Sequence, residues 1–151
     1  MLQRIQTVYL LLVAAAMIAA LFLPLAAVQV GDVLFRFEAL GMYTATASPE
    51  LTCPTWALFA LSTISVLLAF AAVFLYRKRM LQIRLCIFNA ILLVGFYAVF
   101  AFFLWHVYTP DFRFGVRFGL ALPLVSLILD YLAIRNIGAD EMLIRSLNRL
   151  R

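Results

Sequence analysis

Residues 55–76 read TWALFALSTISVLLAFAAVFLY, 22 consecutive positions without a charged side chain. A helix rises about 1.5 Å per residue, so about 20 apolar residues cross the roughly 30 Å hydrocarbon core of a bilayer. The rest of the chain has the same character, since 67% of its 151 residues are hydrophobic and 13% are charged. Soluble domains are about half apolar and a quarter charged. The composition therefore predicts a single integral membrane domain over residues 1–151.

Three further apolar stretches lie on either side of this segment, at about residues 5–28, 85–107 and 116–133. The last of them is the weakest, but Arg117 and Asp130 lie close enough to its ends to reach the interface. The alternative for residues 5–28 is a cleaved signal peptide, which we disfavour because the stretch exceeds the usual apolar core of about 7 to 15 residues. The pattern predicts four transmembrane helices.

The outer loop, residues 29–54, has a different periodicity. From Val33 to Leu40, one set of alternate positions is entirely apolar, and the other contains Arg36 and Glu38. This period of two favours a strand. Gly31-Asp32, directly before it, suits a two-residue hairpin turn. We therefore expect an all-α membrane protein, a four-helix transmembrane bundle with a small outer β-hairpin and a short C-terminal amphipathic helix.

The distribution of cations predicts the orientation. If the loop containing Arg77 and Arg84 is cytoplasmic, nine of the twelve cations are inside, and only Arg36, Arg113 and Arg117 are outside. Cytoplasmic loops carry an excess of Lys and Arg. We therefore predict a bacterial inner-membrane protein with both termini in the cytoplasm. Cys53 and Cys86 then start two antiparallel spans near opposite faces, too far apart for a disulfide.

A candidate polar cluster consists of Arg84, Asn89 and Asp130. An ionisable residue inside a span is costly and needs a polar partner or a water-filled path. Arg84 and Asn89 lie at a similar depth in the neighbouring span, so they are the nearest available partners. A structural clasp is favoured over a proton or ion step, because a relay needs further acids deeper in the membrane.

The cytoplasmic tail, residues 134–151, contains a second candidate surface. From Asp140, a plausible N-cap, the pattern predicts a short amphipathic helix that docks on anionic lipid or on another membrane or cytoplasmic protein. An anchor that merely closes the bundle is the alternative. The residues expected to make these contacts are Leu143, Arg145, Leu147, Arg149, Leu150 and Arg151.

Enzyme, metal and nucleic-acid signatures are missing from the sequence. It has no phosphate-binding glycine loop, no G-x-S-x-G and no H-E-x-x-H. The single histidine, His106, has no nearby ligands with which to bind a metal. The cations lie at the ends of apolar segments rather than along a face with interleaved aromatics, which argues against nucleic acid. No catalytic residue, metal or cofactor is predicted.

The two ends of the chain resemble a known family. The first ten residues, MLQRIQTVYL, and the closing stretch from Ile134-Arg135 through Asp140-Glu141 to Arg145–Arg151 carry this resemblance. The family consists of uncharacterised four-span inner-membrane proteins of Bacteroidota, a domain of unknown function. The resemblance implies four spans and an inner-membrane location, and it brings no activity or site residue.

These observations favour a non-enzymatic accessory or scaffold component of the membrane. The alternative is a small transporter or lipid-binding protein that uses the region around Asp130, and a membrane enzyme comes third. A water-filled cavity that reaches Asp130 would favour the alternative. A dry, packed interior would favour the scaffold.

Overall fold

A computed structural model describes residues 2–46, 48–75 and 78–149. In this part of the chain there are four helices, with four short strands between α1 and α2 and a fifth between α3 and α4. The elements are α1 (Leu2–Phe22), β1 (Ala26–Val30), β2 (Val33–Phe37), β3 (Gly41–Thr44), β4 (Leu51–Pro54), α2 (Trp56–Phe74), α3 (Arg79–Val107), β5 (Phe112–Val116) and α4 (Phe118–Arg149). Both ends of the described chain therefore lie at the end of the bundle opposite the strands.

The four helices form an antiparallel bundle in which α1 and α3 each pack against α2 and α4. On every helix the buried positions recur alternately three and four residues apart, the heptad spacing of helices that cross at a small left-handed angle. The positions with this spacing are Gln6, Leu10, Val13, Met17 and Ala20 on α1; Leu58, Ser62, Ser65, Ala69 and Ala72 on α2; Gln82, Cys86, Asn89, Leu93, Phe96 and Phe100 on α3; and Gly119, Pro123, Ser126, Asp130, Ala133, Ile137 and Asp140 on α4. Ala14 of α1 is buried in addition to them.

The five strands form one antiparallel sheet in the order β4-β3-β2-β1-β5. Gly31 and Asp32 connect β1 to β2, and Gly31 has a φ of 59°, the positive value that a type II′ turn needs at its first central position. Alternate residues of β1 and β2, among them Ala26, Val28 and Phe37, are buried against the bundle. The sheet therefore covers one end of the helices.

The prediction of an all-α bundle with only a small hairpin is wrong, because the fold is mixed α/β. The hairpin is present, but β3, β4 and β5 extend it to five strands. Strand β5 lies between α3 and α4, more than 70 residues after β1 in the sequence. It pairs with β1 from Ala26↔Val116 to Val30↔Phe112. The sequence of β5 is only five residues long and lies between two apolar segments, so its alternating pattern is too short to predict a strand. The strand is stabilised only by its pairing with β1.

The predicted separate C-terminal helix is also wrong. Helix α4 continues without interruption from Phe118 to Arg149. Asp140 was expected to cap a new helix, but it lies in the interior of α4 and is 7% exposed. The continuous helix keeps its backbone hydrogen bonds through this region, and its buried side carries Asp140 into the bundle.

All four helices are long and apolar enough to cross a membrane, judged by length and composition. Helix α1 ends at Phe22, so the last residues of the expected 5–28 span belong instead to β1. Large apolar side chains on the helices face outward, such as Phe74 at 76% exposure and Leu67 at 62%. An apolar exterior of this kind is the arrangement that lipid as a solvent favours.

Candidate functional site

The interior of the bundle is lined by polar side chains, which we call the polar seam. Each of them is at most 7% exposed and occupies a heptad position that points toward the other helices. The polar seam consists of Gln6 on α1, Ser62 and Ser65 on α2, Gln82 and Asn89 on α3, and Ser126, Asp130 and Asp140 on α4. The bundle thus buries polar side chains among its apolar ones, while large apolar side chains face outward.

Asn89 and Asp130 form the centre of the polar seam. The side-chain Nδ2 of Asn89 donates a hydrogen bond to Oδ2 of Asp130 at 2.5 Å, and the two residues are 1% and 0% exposed. This bond joins α3 to α4. Arg84, the third member of the candidate polar cluster, is exposed on α3. The structure therefore brings two of the three predicted residues together and leaves the arginine outside.

Several polar atoms of the seam have no hydrogen-bond partner among the described residues. They are Oδ1 of Asn89, Oδ1 of Asp130 and the hydroxyl oxygens of Ser62, Ser65 and Ser126. Buried polar groups in native proteins are almost always satisfied, often by ordered water. These oxygens are therefore the atoms of the seam at which a further hydrogen-bond donor or a proton would bind. No group of three or more His, Cys, Asp or Glu residues with metal-site geometry occurs within the described ranges.

Apolar clusters enclose the Asn89–Asp130 pair on both sides. Toward the chain termini, Leu10, Ala72, Cys86 and Ala133 form one cluster with a residue from each helix. Toward the sheet, Phe96 and Phe100 join Leu58 and residues of β1 and β2 in a second cluster. Asn89 lies between Cys86 and Phe96 along α3, so the pair has apolar layers above and below it.

A family model matches residues 2–150, almost the entire chain. The chain belongs to the family described as domain of unknown function (DUF4293). A comparison with curated proteins found no match. The DUF4293 description assigns no activity, and it leaves the Bacteroidota origin and the four spans of the resemblance as predictions.

Sequence reasoning missed one contact of this DUF4293 chain, the pair formed by Gln6 and Asp140. The Nε2 of Gln6 donates a hydrogen bond to Oδ2 of Asp140 at 2.9 Å, and both side chains are buried. It joins the beginning of α1 to a late turn of α4. The signal was present in the sequence, because Ser126, Ala133 and Asp140 are spaced seven residues apart, as positions on one helical seam are.

The second candidate surface lies at the end of α4. Leu143 is on the helix and 56% exposed. Arg145, Leu147 and Arg149 also belong to α4, and only their backbone is described. Leu150 and Arg151 lie outside the described residues. The two cysteines of the DUF4293 chain, Cys53 in β4 and Cys86 in α3, are free.

Proposed function

We propose that this protein is a non-enzymatic accessory or scaffold component of a membrane, whose four helices span the bilayer and support the sheet as a contact surface. The arrangement of polarity supports this proposal. The helices place large apolar side chains outside and amide, hydroxyl and carboxyl groups inside. Lipid tails supply no hydrophobic driving force between helices, so polar contacts across a seam contribute to their association.

The orientation that we propose places both termini in the cytoplasm of a bacterial inner membrane and the sheet on the outer side. The cation count supports it, because Arg36, Arg113 and Arg117 lie in or beside the sheet, whereas the other cations among the described residues lie toward the opposite end of the helices. Cysteine labelling at the two termini tests this. Labelling of either terminus from the outer side in intact cells would contradict the orientation.

The enclosure of Asp130 is the observation that favours a scaffold over a transporter. The side chain is 0% exposed, and apolar clusters from all four helices and from the sheet lie on either side of it. A transported solute or ion needs an aqueous path to its binding group. A packed interior instead keeps helix positions constant, and a polar pair in such an interior specifies how the helices align.

Site-specific photo-crosslinking in native membranes, followed by mass spectrometry, tests the scaffold proposal. A crosslinker at Leu34, which is 46% exposed on β2, should capture protein. The matched control is Ile91, 62% exposed on the middle of α3, which should capture lipid alone. Absence of protein adducts at Leu34, and at Tyr43 on the same face of the sheet, would refute the proposal.

The end of α4 is a further contact region under this proposal. Met142 is 75% exposed and Leu143 is 56% exposed, and both are apolar. Exposed apolar residues at a helix end, close to several arginines, suit an anionic membrane surface or a cytoplasmic partner. A crosslinker at Met142 that yields neither lipid nor protein adducts would argue against this contact.

A second candidate function is a proton or cation step at Asp130, and the unpartnered oxygens of Asn89, Asp130 and Ser126 favour it. Reconstituted vesicles that contain a pH-sensitive dye test it. A proton step requires that Asp130→Asn abolish flux, because an amide does not titrate, while the fold survives. Our scaffold proposal instead expects equal background flux from wild type, Asp130→Asn and empty vesicles.

A further inference from the structure

The two edges of the sheet differ in their capacity to bind another strand. Edge strand β4 ends in Pro54, which lacks an N–H group, and its pairing with β3 is interrupted between Met42 and Tyr43. Proline and irregular pairing are features with which natural sheets protect an edge. Edge strand β5, from Phe112 to Val116, has no proline, and its pairing with β1 is regular along all five residues.

The hydrogen bonds of β5 determine which of its backbone groups point to the free edge. The N–H of Arg117 donates to the carbonyl of Leu25 at 3.2 Å. The odd-numbered residues, Arg113 and Gly115 as well as Arg117, therefore direct their backbone groups toward β1. In an antiparallel pair, bonded and non-bonded positions alternate. Phe112, Phe114 and Val116 therefore direct backbone groups away from β1. A carbonyl at Thr109 accepts the N–H of Phe112, but Phe114 in the centre is free to bond on the open side.

We propose that two copies of this protein associate through their β5 strands, which pair antiparallel about a two-fold axis at Phe114. This inference rests on the proposed function as a scaffold and specifies its partner as a second copy. Phe114 then lies opposite Phe114 of the second copy, Phe112 opposite Val116, Arg113 opposite Gly115 and Asp111 opposite Arg117. The hydrogen-bonded positions of this register are those whose backbone groups point to the free edge.

The side chains of β5 are complementary to themselves in this register. Asp111 directly precedes β5 and Arg117 directly follows it; both are exposed and they have opposite charges, so each end of the paired strands gains one ion pair. Arg113 stands opposite glycine, and no like charges are directly opposite each other. On the other face, the exposed Val116 and half-buried Phe112 bring apolar side chains together.

The symmetry of such a pair is compatible with a shared membrane. The two-fold axis of an antiparallel ladder is perpendicular to the sheet, so both sheets present the same face to the same side. Both bundles then extend from one face of a continuous ten-stranded sheet. The two copies have the same orientation in one bilayer, which an isologous interface in a membrane requires.

Disulfide trapping in native membranes tests the register. In a background with Cys53→Ser and Cys86→Ser, Phe114→Cys should form a disulfide-linked dimer, because paired Cα atoms at hydrogen-bonded positions are about 5.5 Å apart, within disulfide range. Phe112→Cys alone should remain monomeric, whereas coexpressed Phe112→Cys and Val116→Cys copies should link to each other. The matched control on the other edge, Thr52→Cys, should stay monomeric.

A bridge at Arg113→Cys instead of Phe114→Cys would overturn the proposed register. Monomers at every β5 position, in protein that retains wild-type thermal stability, would overturn the association itself. The charge pair supplies a test that does not depend on these cysteines. Asp111→Arg should reduce the dimer fraction, Arg117→Asp should do the same, and the double exchange should restore it. Failure of the double exchange to restore the dimer would contradict the ion pair.

The backbone bonds are tested with Phe114→Pro and the matched control Phe114→Val. Proline removes an N–H that points to the free edge and leaves the bonds between β1 and β5 intact, whereas valine keeps the N–H. We expect the dissociation constant of detergent-purified dimers to rise at least about tenfold for proline, or about 1.4 kcal/mol. Equal dissociation constants for the two variants would refute strand pairing.

The outcomes separate this inference from the function on which it rests. If Leu34 captures other proteins while no β5 variant forms dimers, the scaffold function stands and self-association fails. If β5 forms dimers and Leu34 captures only a second copy, both stand. If neither position contacts protein, the scaffold function itself is refuted.

Discussion

The two halves of the bundle obtain their order from different interactions. In the half next to the sheet, the interior is mostly apolar and aromatic, with the buried Ser62 and Ser126 as its polar members, and Phe37 of β2 contacts Phe100 of α3 with ring centroids 5.1 Å apart. In the half that contains the termini, the interior carries the bonds Asn89–Asp130 and Gln6–Asp140 between helices. The first half packs a sheet on helices, and the second packs helix on helix.

The proposed membrane location accounts for this difference, because water and lipid favour different interiors. Where the sheet covers the helices, burial removes apolar area from water and stabilises the fold in the usual way. If the helices lie in lipid, as we propose, an apolar side chain gains little by facing another helix rather than a lipid tail. Hydrogen bonds and close packing then decide which faces meet, so substitutions in the two halves should have effects of different size.

The largest effect is expected from Phe37→Ala in the half next to the sheet. Phe37 is 1% exposed, and loss of a buried aromatic ring costs about 3 to 5 kcal/mol of unfolding free energy. Phe102→Ala is the control, because its ring is 68% exposed and its loss should change stability by about 0.5 kcal/mol or less. Thermal unfolding in detergent measures both. Similar losses of stability for the two variants would show that the buried contacts of Phe37 with the helices do not stabilise the fold.

Substitution of Gly119 tests how tightly α4 packs where it leaves the sheet. A Cβ at this position would lie 2.6 Å from the carbonyl oxygen of Pro24, so Gly119→Ala should cost about 1 to 3 kcal/mol through overpacking. At Gly95, on α3, an added Cβ would have no described atom within 4 Å apart from its chain neighbours and the backbone of its own helix. Gly95→Ala should therefore leave the unfolding temperature unchanged or raise it. A Gly119→Ala protein as stable as wild type would show that the contact relaxes freely.

Asp130→Ala should have a comparable or smaller effect in the other half. The substitution leaves Asn89 buried without its partner, which costs about 1 to 3 kcal/mol. Asp130→Asn should retain much of this stability, because an amide keeps a hydrogen bond to Asn89. The measurement is again thermal unfolding of purified variants. If Asp130→Asn loses as much as Asp130→Ala, the charge or the proton of Asp130 matters more than the hydrogen bond.

The smallest effect is expected for the bond between Gln6 and Asp140. Hydrogen bonds between membrane helices average about 0.6 kcal/mol in double-mutant cycles. The cycle Gln6→Ala, Asp140→Ala and the double variant should give a coupling energy of about this size, with α1 and α4 as the joined helices. A coupling of zero would show that the bond contributes no stability, and the two halves would then differ more strongly than we infer.

Part of the polar seam could be predicted from the sequence, because the need of a carboxylate for a polar partner follows from its own segment alone. A carboxylate within an apolar segment needs a partner, and Asn89 was among the nearest groups at the depth of Asp130. Arg84 has a suitable charge and depth, but the buried positions of α3 are Gln82, Cys86 and Asn89, so Arg84 lies on the exposed side of the helix. Depth can be counted along a helix, whereas the direction of a side chain depends on which face meets the other helices.

The sequence by itself determined that there are four long apolar segments and where one chain reversal occurs. Apolar length is a sum over neighbouring residues, and the turn at Gly31 needs a positive φ that glycine adopts without steric cost. Tertiary structure alone decided the five-stranded sheet, because β5 exists only when α3 and α4 bring it beside β1. It also decided that Asp140 is an interior residue, since a continuous α4 carries it to Gln6 across the bundle. Both outcomes depend on contacts between residues that are far apart in the chain. Such contacts cannot be predicted from the pattern of neighbouring residues.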